Sequence, residues 1–172
     1  MDFSDSEGIL RLAEKCNGSG DCRKSASAGG TMCPSYQATK NEKDSTRGRA
    51  NMLREVLTQS ERANKFNSTD LKETFDLCLS CKACATECPS NVDMATAKAE
   101  FMYQFNKENG ISPSDRLFGM SSVYNKRASK FPWIANFLLS NTIAAKIRKS
   151  KGNIAVEGRL PKISTKSFMK RS

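Results

Sequence analysis

The stretch Cys78-Leu-Ser-Cys81-Lys-Ala-Cys84-Ala-Thr-Glu-Cys88-Pro89 constrains this chain more than any other. Its spacing, C-x2-C-x2-C-x3-C-P, is that of the bacterial iron–sulfur run. A cluster needs soft thiolates converging on one small object. On a straight helix Cys78 and Cys84 would stand roughly 9 Å apart along the axis, so the spacing predicts a tight loop that wraps its ligand. Small residues at Ser80, Ala83 and Ala85 permit the wrap, and Pro89, without an N–H, ends it. In two-cluster ferredoxins the fourth cysteine of such a run ligates the other cluster, which calls for a second set of cysteines.

Seven cysteines are present, and the remaining three form Cys16-Asn-Gly-Ser-Gly-Asp-Cys22 followed by Cys33-Pro34. This is a degenerate copy of the first run, with Ser19 at the middle position. If the crossing rule holds, Cys33 completes Cys78, Cys81 and Cys84 around a [4Fe–4S] cluster, and Cys88 joins Cys16 and Cys22. The three-thiolate site suits a [3Fe–4S] cluster, or a [4Fe–4S] cluster whose last iron binds Ser19, Asp21, water or a partner. Disulfides fit poorly, because the count is odd and the i, i+3, i+6 spacing is crowded. Zinc more often takes separated C-x2-C knuckles with histidine, and the chain has no histidine. For Cys16, Cys22 and Cys33 the bland alternative is a role as small buried apolar residues. The lack of histidine also removes haem ligation and His-based acid–base chemistry.

At 172 residues the chain has room for one domain and a tail. The formal charge of +10 is unevenly placed, since from Lys126 onward twelve Lys/Arg accompany a single acid, Glu157. Phe3, Ile9, Leu10 and Leu12 are interrupted by Asp2, Asp5, Glu7 and Arg11, so no signal peptide or spanning segment is expected. Thiolate ligation suits a reducing cytoplasm. Periodicity predicts helices over 5–16 (capped by Asp5 or Ser6), 47–59, a short one through Leu71 and Phe75, and a longer one from Asn91 or Asp93 to about Asn109. Ser35-Tyr36 reads as a polar turn. No period-2 run of any length appears, so the fold class is mainly α, a helical ferredoxin-like domain with cysteine loops. The expected organisation is a cluster domain over 1–110, a helical extension over 111–150 and a basic extended tail over 151–172. In the extension, Pro113 starts a helix aligning Leu117, Met120 and Tyr124. Pro132 starts another from Trp133 to Ile147, which reads as a packing helix, with an anionic membrane surface as the alternative.

Several segments together resemble a known family: Cys16-Asn-Gly-Ser-Gly-Asp-Cys22-Arg, Gly30-Thr-Met-Cys33-Pro-Ser-Tyr36, Ser45-Thr-Arg-Gly-Arg-Ala50, Asp76-Leu-Cys-Leu-Ser-Cys-Lys-Ala-Cys84, Cys88-Pro-Ser-Asn-Val-Asp-Met-Ala95 and Lys98-Ala-Glu-Phe101. They resemble the iron–sulfur domain of large bacterial FAD-linked oxidases of the D-lactate, glycolate and D-2-hydroxyglutarate dehydrogenase group. The resemblance implies an electron-transfer module, with FAD and the substrate site on an adjoining domain or subunit. A more distant similarity is to the helical ferredoxin domain of succinate dehydrogenase iron–sulfur subunits. There a C-x5-C pair shares a [3Fe–4S] cluster with the Cys-Pro cysteine, as Cys16, Cys22 and Cys88 would here. The present chain departs in its longer Cys22–Cys33 gap and in placing the C-x5-C element first.

Nothing in the sequence offers substrate chemistry, for there is no Gly-rich phosphate cradle and no His base. Gly48 between Arg47 and Arg49 is too little for a nucleotide loop, and those arginines read as a solvated helix start, with contact to a flavin-domain carboxylate or a substrate anion as the alternative. The leading expectation is a wire from FAD to a quinone or redox protein. The alternative is a separate iron–sulfur subunit of a membrane-associated respiratory dehydrogenase or reductase, at the inner face of the membrane with peripheral membrane contact. A nucleic-acid role is not expected, because the basic tail has few aromatics and no repeated stacking pattern.

Overall fold

The computed structural model describes residues 2–141 and 162–164. Among them all regular structure is helical and no strand occurs. Residues up to Gly110 form one compact unit and those from Ile111 onward a second.

The first unit is built from six helices: α1 (Ile9–Glu14), α2 (Pro34–Thr39), α3 (Thr46–Gln59), α4 (Thr69–Asp76), α5 (Ala83–Glu87) and α6 (Met94–Asn109). The three longest-range scaffolding helices each begin on a side-chain cap. Ser45 accepts from Gly48 N, Ser68 from Leu71 N and Asp93 from Thr96 N. Thr46, Arg49, Ala50 and Leu53 form the buried face of α3 at helical spacing, and Leu71, Thr74 and Phe75 that of α4. Phe75 stacks on Phe101 of α6 with ring centroids 5.5 Å apart, and both rings are fully buried. This apolar centre takes in Cys22, Cys33, Cys84 and Cys88, with Cys16 and Cys78 packed against it. The core therefore lies directly beneath the cysteine loops, and every helix end that carries a cysteine is anchored in it.

Two local readings change. The helix expected over 5–16 is split. Ser4–Ser6 is a single 3-10 turn, Glu7 has φ 54, and α1 starts only after Gly8 at φ 109, so neither Asp5 nor Ser6 caps it. The Ser35-Tyr36 turn is instead the body of α2. Pro34 occupies the first helical turn, where its missing N–H costs nothing, and Cys33 in the left-handed region reverses the chain ahead of it.

In the second unit the single helix expected from Pro113 is divided at Met120 into α7 (Pro113–Gly119) and α8 (Ser121–Ala128). Pro132 opens α9 (Pro132–Ser140), whose Trp133, Ile134, Phe137 and Leu138 are exposed. The Asn136 side chain donates to Ile163 O at 2.9 Å and accepts from Ile163 N at 2.8 Å, imitating a peptide partner. The expected continuation of this helix to Ile147, and most of the basic tail, lie outside the described residues.

Candidate metal centre

Four of the cysteines line one pocket. Cys78 follows α4, Cys81 and Cys84 sit on the loop and first turn of α5, and Cys33 arrives from the distant loop before α2. The wrap is achieved by two residues in the left-handed region, Ser80 at φ 52 and Lys82 at φ 61, which turn the backbone between successive cysteines. α5 stops at Glu87, and Cys88 is extended ahead of Pro89. Thr46, Arg49, Met94 and Ala95 complete the pocket wall.

The pocket offers hydrogen-bond donors to sulfur. Thr46 N donates to Cys33 Sγ at 3.0 Å, and the Thr46 hydroxyl lies 2.8 Å from the same atom. Burial pushes the free Cys33 thiol up to about 11, against the opposing pull of both Thr46 groups. Burial likewise raises Cys84, while the amides of Met94 and Ala95 at the start of α6 pull it down. Left as thiols these groups would be inert. A bound cation that keeps them deprotonated turns the same donors into stabilising partners of thiolate. The residues present therefore fit a thiolate-ligated metal group.

Several contributors were not legible in the sequence. Arg49 is no part of a solvated helix start: it is only 2% exposed, and its guanidinium donates to Thr74 O at 3.1 Å and Ser35 Oγ at 3.0 Å. Arg47 is the outer of the pair, bound to Glu42 at 2.7 Å. Lys98 donates from Nζ to Cys78 O at 2.7 Å and to Phe75 O at 2.8 Å, so a side chain of α6 fixes the carbonyl of the cysteine that follows α4. Glu87 closes the ring. Its carboxylate accepts from Thr31 N and Met32 N and from the Thr31 hydroxyl, tying the Cys33 loop to the end of α5. Gly30 has φ 84, a conformation that side-chain-bearing residues rarely adopt, and a Cβ there would also displace the end of that carboxylate, 2.8 Å away. The available signal was charge on an apolar stripe: Arg49 lies four residues before Leu53, and Lys98 four after Met94.

The other three cysteines stand apart from this pocket. Cys22 and Cys88 are buried and Cys16 is half-buried. Cys16 and Cys22 both lie close enough to Arg47 for their charges to act on it, and Cys22 also acts on Cys33. None of the seven is disulfide-bonded. Among the described residues no three of the Cys, Asp and Glu side chains gather tightly enough to hold a single metal ion.

Residues 15–93, which include all seven cysteines, match the family described as 4Fe-4S dicluster domain. The chain is an iron–sulfur electron-transfer module related to D-2-hydroxyglutarate dehydrogenases and to the glycolate oxidase iron–sulfur subunit. It is 28% identical over 174 residues to the D-2-hydroxyglutarate dehydrogenase of Pantoea ananatis, a match covering 81% of this chain and 17% of that protein. Against the enzyme of the same name from Escherichia coli it is 27% identical over 171 residues, covering 80% and 17%. It is 34% identical over 88 residues to the glycolate oxidase iron–sulfur subunit of Escherichia coli, covering 51% of this chain and 18% of that subunit. The chain thus spans about a sixth of the length of these relatives. No solved structure matches it. Among the described residues no helix is long and apolar enough to cross a membrane.

Proposed function

We propose that the chain conducts electrons, one at a time, from an FAD-bearing domain or subunit that oxidises a 2-hydroxy acid of the D-lactate, glycolate or D-2-hydroxyglutarate type to a separate acceptor, a quinone or redox protein. The observation that carries this reading is the single pocket lined by Cys33, Cys78, Cys81 and Cys84, supplied by segments far apart in sequence. In it these four hold one [4Fe–4S] cluster, and Cys16, Cys22 and Cys88 hold the second, as [3Fe–4S] or as a three-cysteine [4Fe–4S]. A bound cluster supplies a delocalised site that accepts or gives one electron with little movement of its ligands. The chain's own part is to position the thiolates, donate hydrogen bonds from Thr46 and the α6 amides, and keep water from the buried sulfurs. The reading places the module on the cytoplasmic side.

A second reading, a separate iron–sulfur subunit of a membrane-associated dehydrogenase, draws on the match to a relative whose name is that of an iron–sulfur subunit. The exposed Trp133, Phe137 and Leu138 of α9 would then serve peripheral membrane contact.

Iron and sulfide analysis with low-temperature EPR on anaerobically purified protein tests the proposal. A reduced-state [4Fe–4S] signal lost in Cys33→Ser supports the four-cysteine assignment, and a separate signal lost in Cys88→Ser supports the three-cysteine one. Zinc in place of iron overturns both readings.

A further inference from the structure

Arg49, buried, and Lys98, half-buried, are cations of the first unit whose hydrogen-bond acceptors are all neutral groups. Arg49 donates to Thr74 O and Ser35 Oγ, and Lys98 to Phe75 O and Cys78 O. Among the described residues neither forms an ion pair, and Asp76, the acid acting on Lys98, is engaged by Lys72 at 3.3 Å. The two come from different helices, α3 and α6, yet both reach the C-terminal carbonyls of α4, the helix that delivers Cys78. They are close enough for their like charges to oppose one another. Arg49 is buried and Lys98 half-buried, and a charge withdrawn from water without a counter-charge is costly, the more so beside a like charge. What lies against them is the cysteine pocket: Arg49 lines it and acts on Cys33, and Lys98 sits behind Cys78.

We infer that Arg49 and Lys98 are the counter-charges of the anionic cluster held by Cys33, Cys78, Cys81 and Cys84, and that together they set its reduction potential. The inference rests on the four-cysteine ligation proposed above. On reduction the cluster gains one electron and no proton, so its charge becomes more negative by one. A nearby fixed cation stabilises the reduced form more than the oxidised form, and its removal shifts the midpoint to more negative values. Neither residue touches the reacting electron pair of a substrate; each acts through the field at the cluster and through the geometry of Cys78.

The test is an EPR-monitored redox titration of the anaerobically purified full chain, with iron and sulfide content measured alongside. Lys98→Met is expected to keep its iron and to titrate at a more negative midpoint, whereas Lys98→Arg titrates near the unaltered protein. Arg49→Met and Arg49→Lys repeat the comparison at the deeper site; if Arg49→Met does not fold, the Lys98 pair decides. A full iron content with an unmoved midpoint in Lys98→Met overturns the inference while leaving the ligation intact. So does an equal shift in Lys98→Arg, which would make the role one of packing. A wild-type chain without iron and sulfide overturns the ligation proposal and the inference together.

Discussion

Gly48→Ala is expected to destabilise the protein, although glycine inside a helix is ordinarily a weakness that alanine repairs. In an unencumbered helix the change would stabilise by about 0.5–1 kcal/mol. Here a Cβ at position 48 would stand 2.1 Å from Glu42 O, and 2.9 Å from both Glu42 C and Lys43 Cα. These are backbone atoms, so no rotamer change relieves the clash. The carbonyl has to retreat by more than 1 Å to reach ordinary contact. It is not free to do so, because Ser45 Oγ and Ser45 N both donate to it, at 2.8 and 3.0 Å. Overpacking of this kind costs about 1–3 kcal/mol, and each strained hydrogen bond about 1 kcal/mol more. Against the propensity gain, the net loss is about 2–4 kcal/mol. The displaced turn precedes Thr46, whose amide and hydroxyl hold Cys33, so cluster retention should weaken with stability. Urea unfolding of the anaerobic protein, followed by far-UV circular dichroism and by the visible absorbance of the cluster, reads both effects. An unchanged or higher midpoint for Gly48→Ala would refute the reasoning, because it would mean the 3-10 turn over Glu42–Asp44 does not lie on α3.

Phe101→Ala removes a fully buried ring stacked on Phe75 and should cost about 3–5 kcal/mol, read as a lowered urea midpoint. Asp93→Ala deletes the cap of α6, with its bonds to Thr96 N at 3.0 Å and Thr96 Oγ1 at 2.6 Å, and should cost about 1 kcal/mol. It should also speed cluster loss to a chelator, since the adjacent amides of Met94 and Ala95 face Cys84. Glu87 is held below the ordinary carboxylate value of 4.5 by its bonds to Thr31 and Met32. Because the folded value is depressed, the stabilisation is present above that ordinary value and is lost as pH falls through the folded one. Thermal unfolding from pH 7 to pH 3 should therefore fall more steeply in the wild type than in Glu87→Gln, and parallel curves would contradict this.

The two levels of this fold differ in how local their causes are. The C-x2-C-x2-C-x3-C-P run, the Ser45, Ser68 and Asp93 caps and the apolar stripes of α3, α4 and α6 are each written in a handful of adjacent residues. They could be read in the chain, and with them the helical class. What surrounds the sulfurs is not local. Arg49 looks like any arginine beside a helix start until the C-terminus of α4 is laid against it, and Lys98 is one of many lysines until Cys78 O comes within 2.7 Å. Glu87 matters through a loop that precedes it by more than fifty residues. In each case the determining partner is a backbone group, which every sequence position offers and none advertises. The same asymmetry explains the division of labour at the site. Cysteine identity and spacing specify that a cluster binds. Arg49 and Lys98 bring their positive charge to the carbonyls at the end of α4 and so to the side of the cysteine pocket, and this part of the arrangement becomes visible only when the helices are assembled.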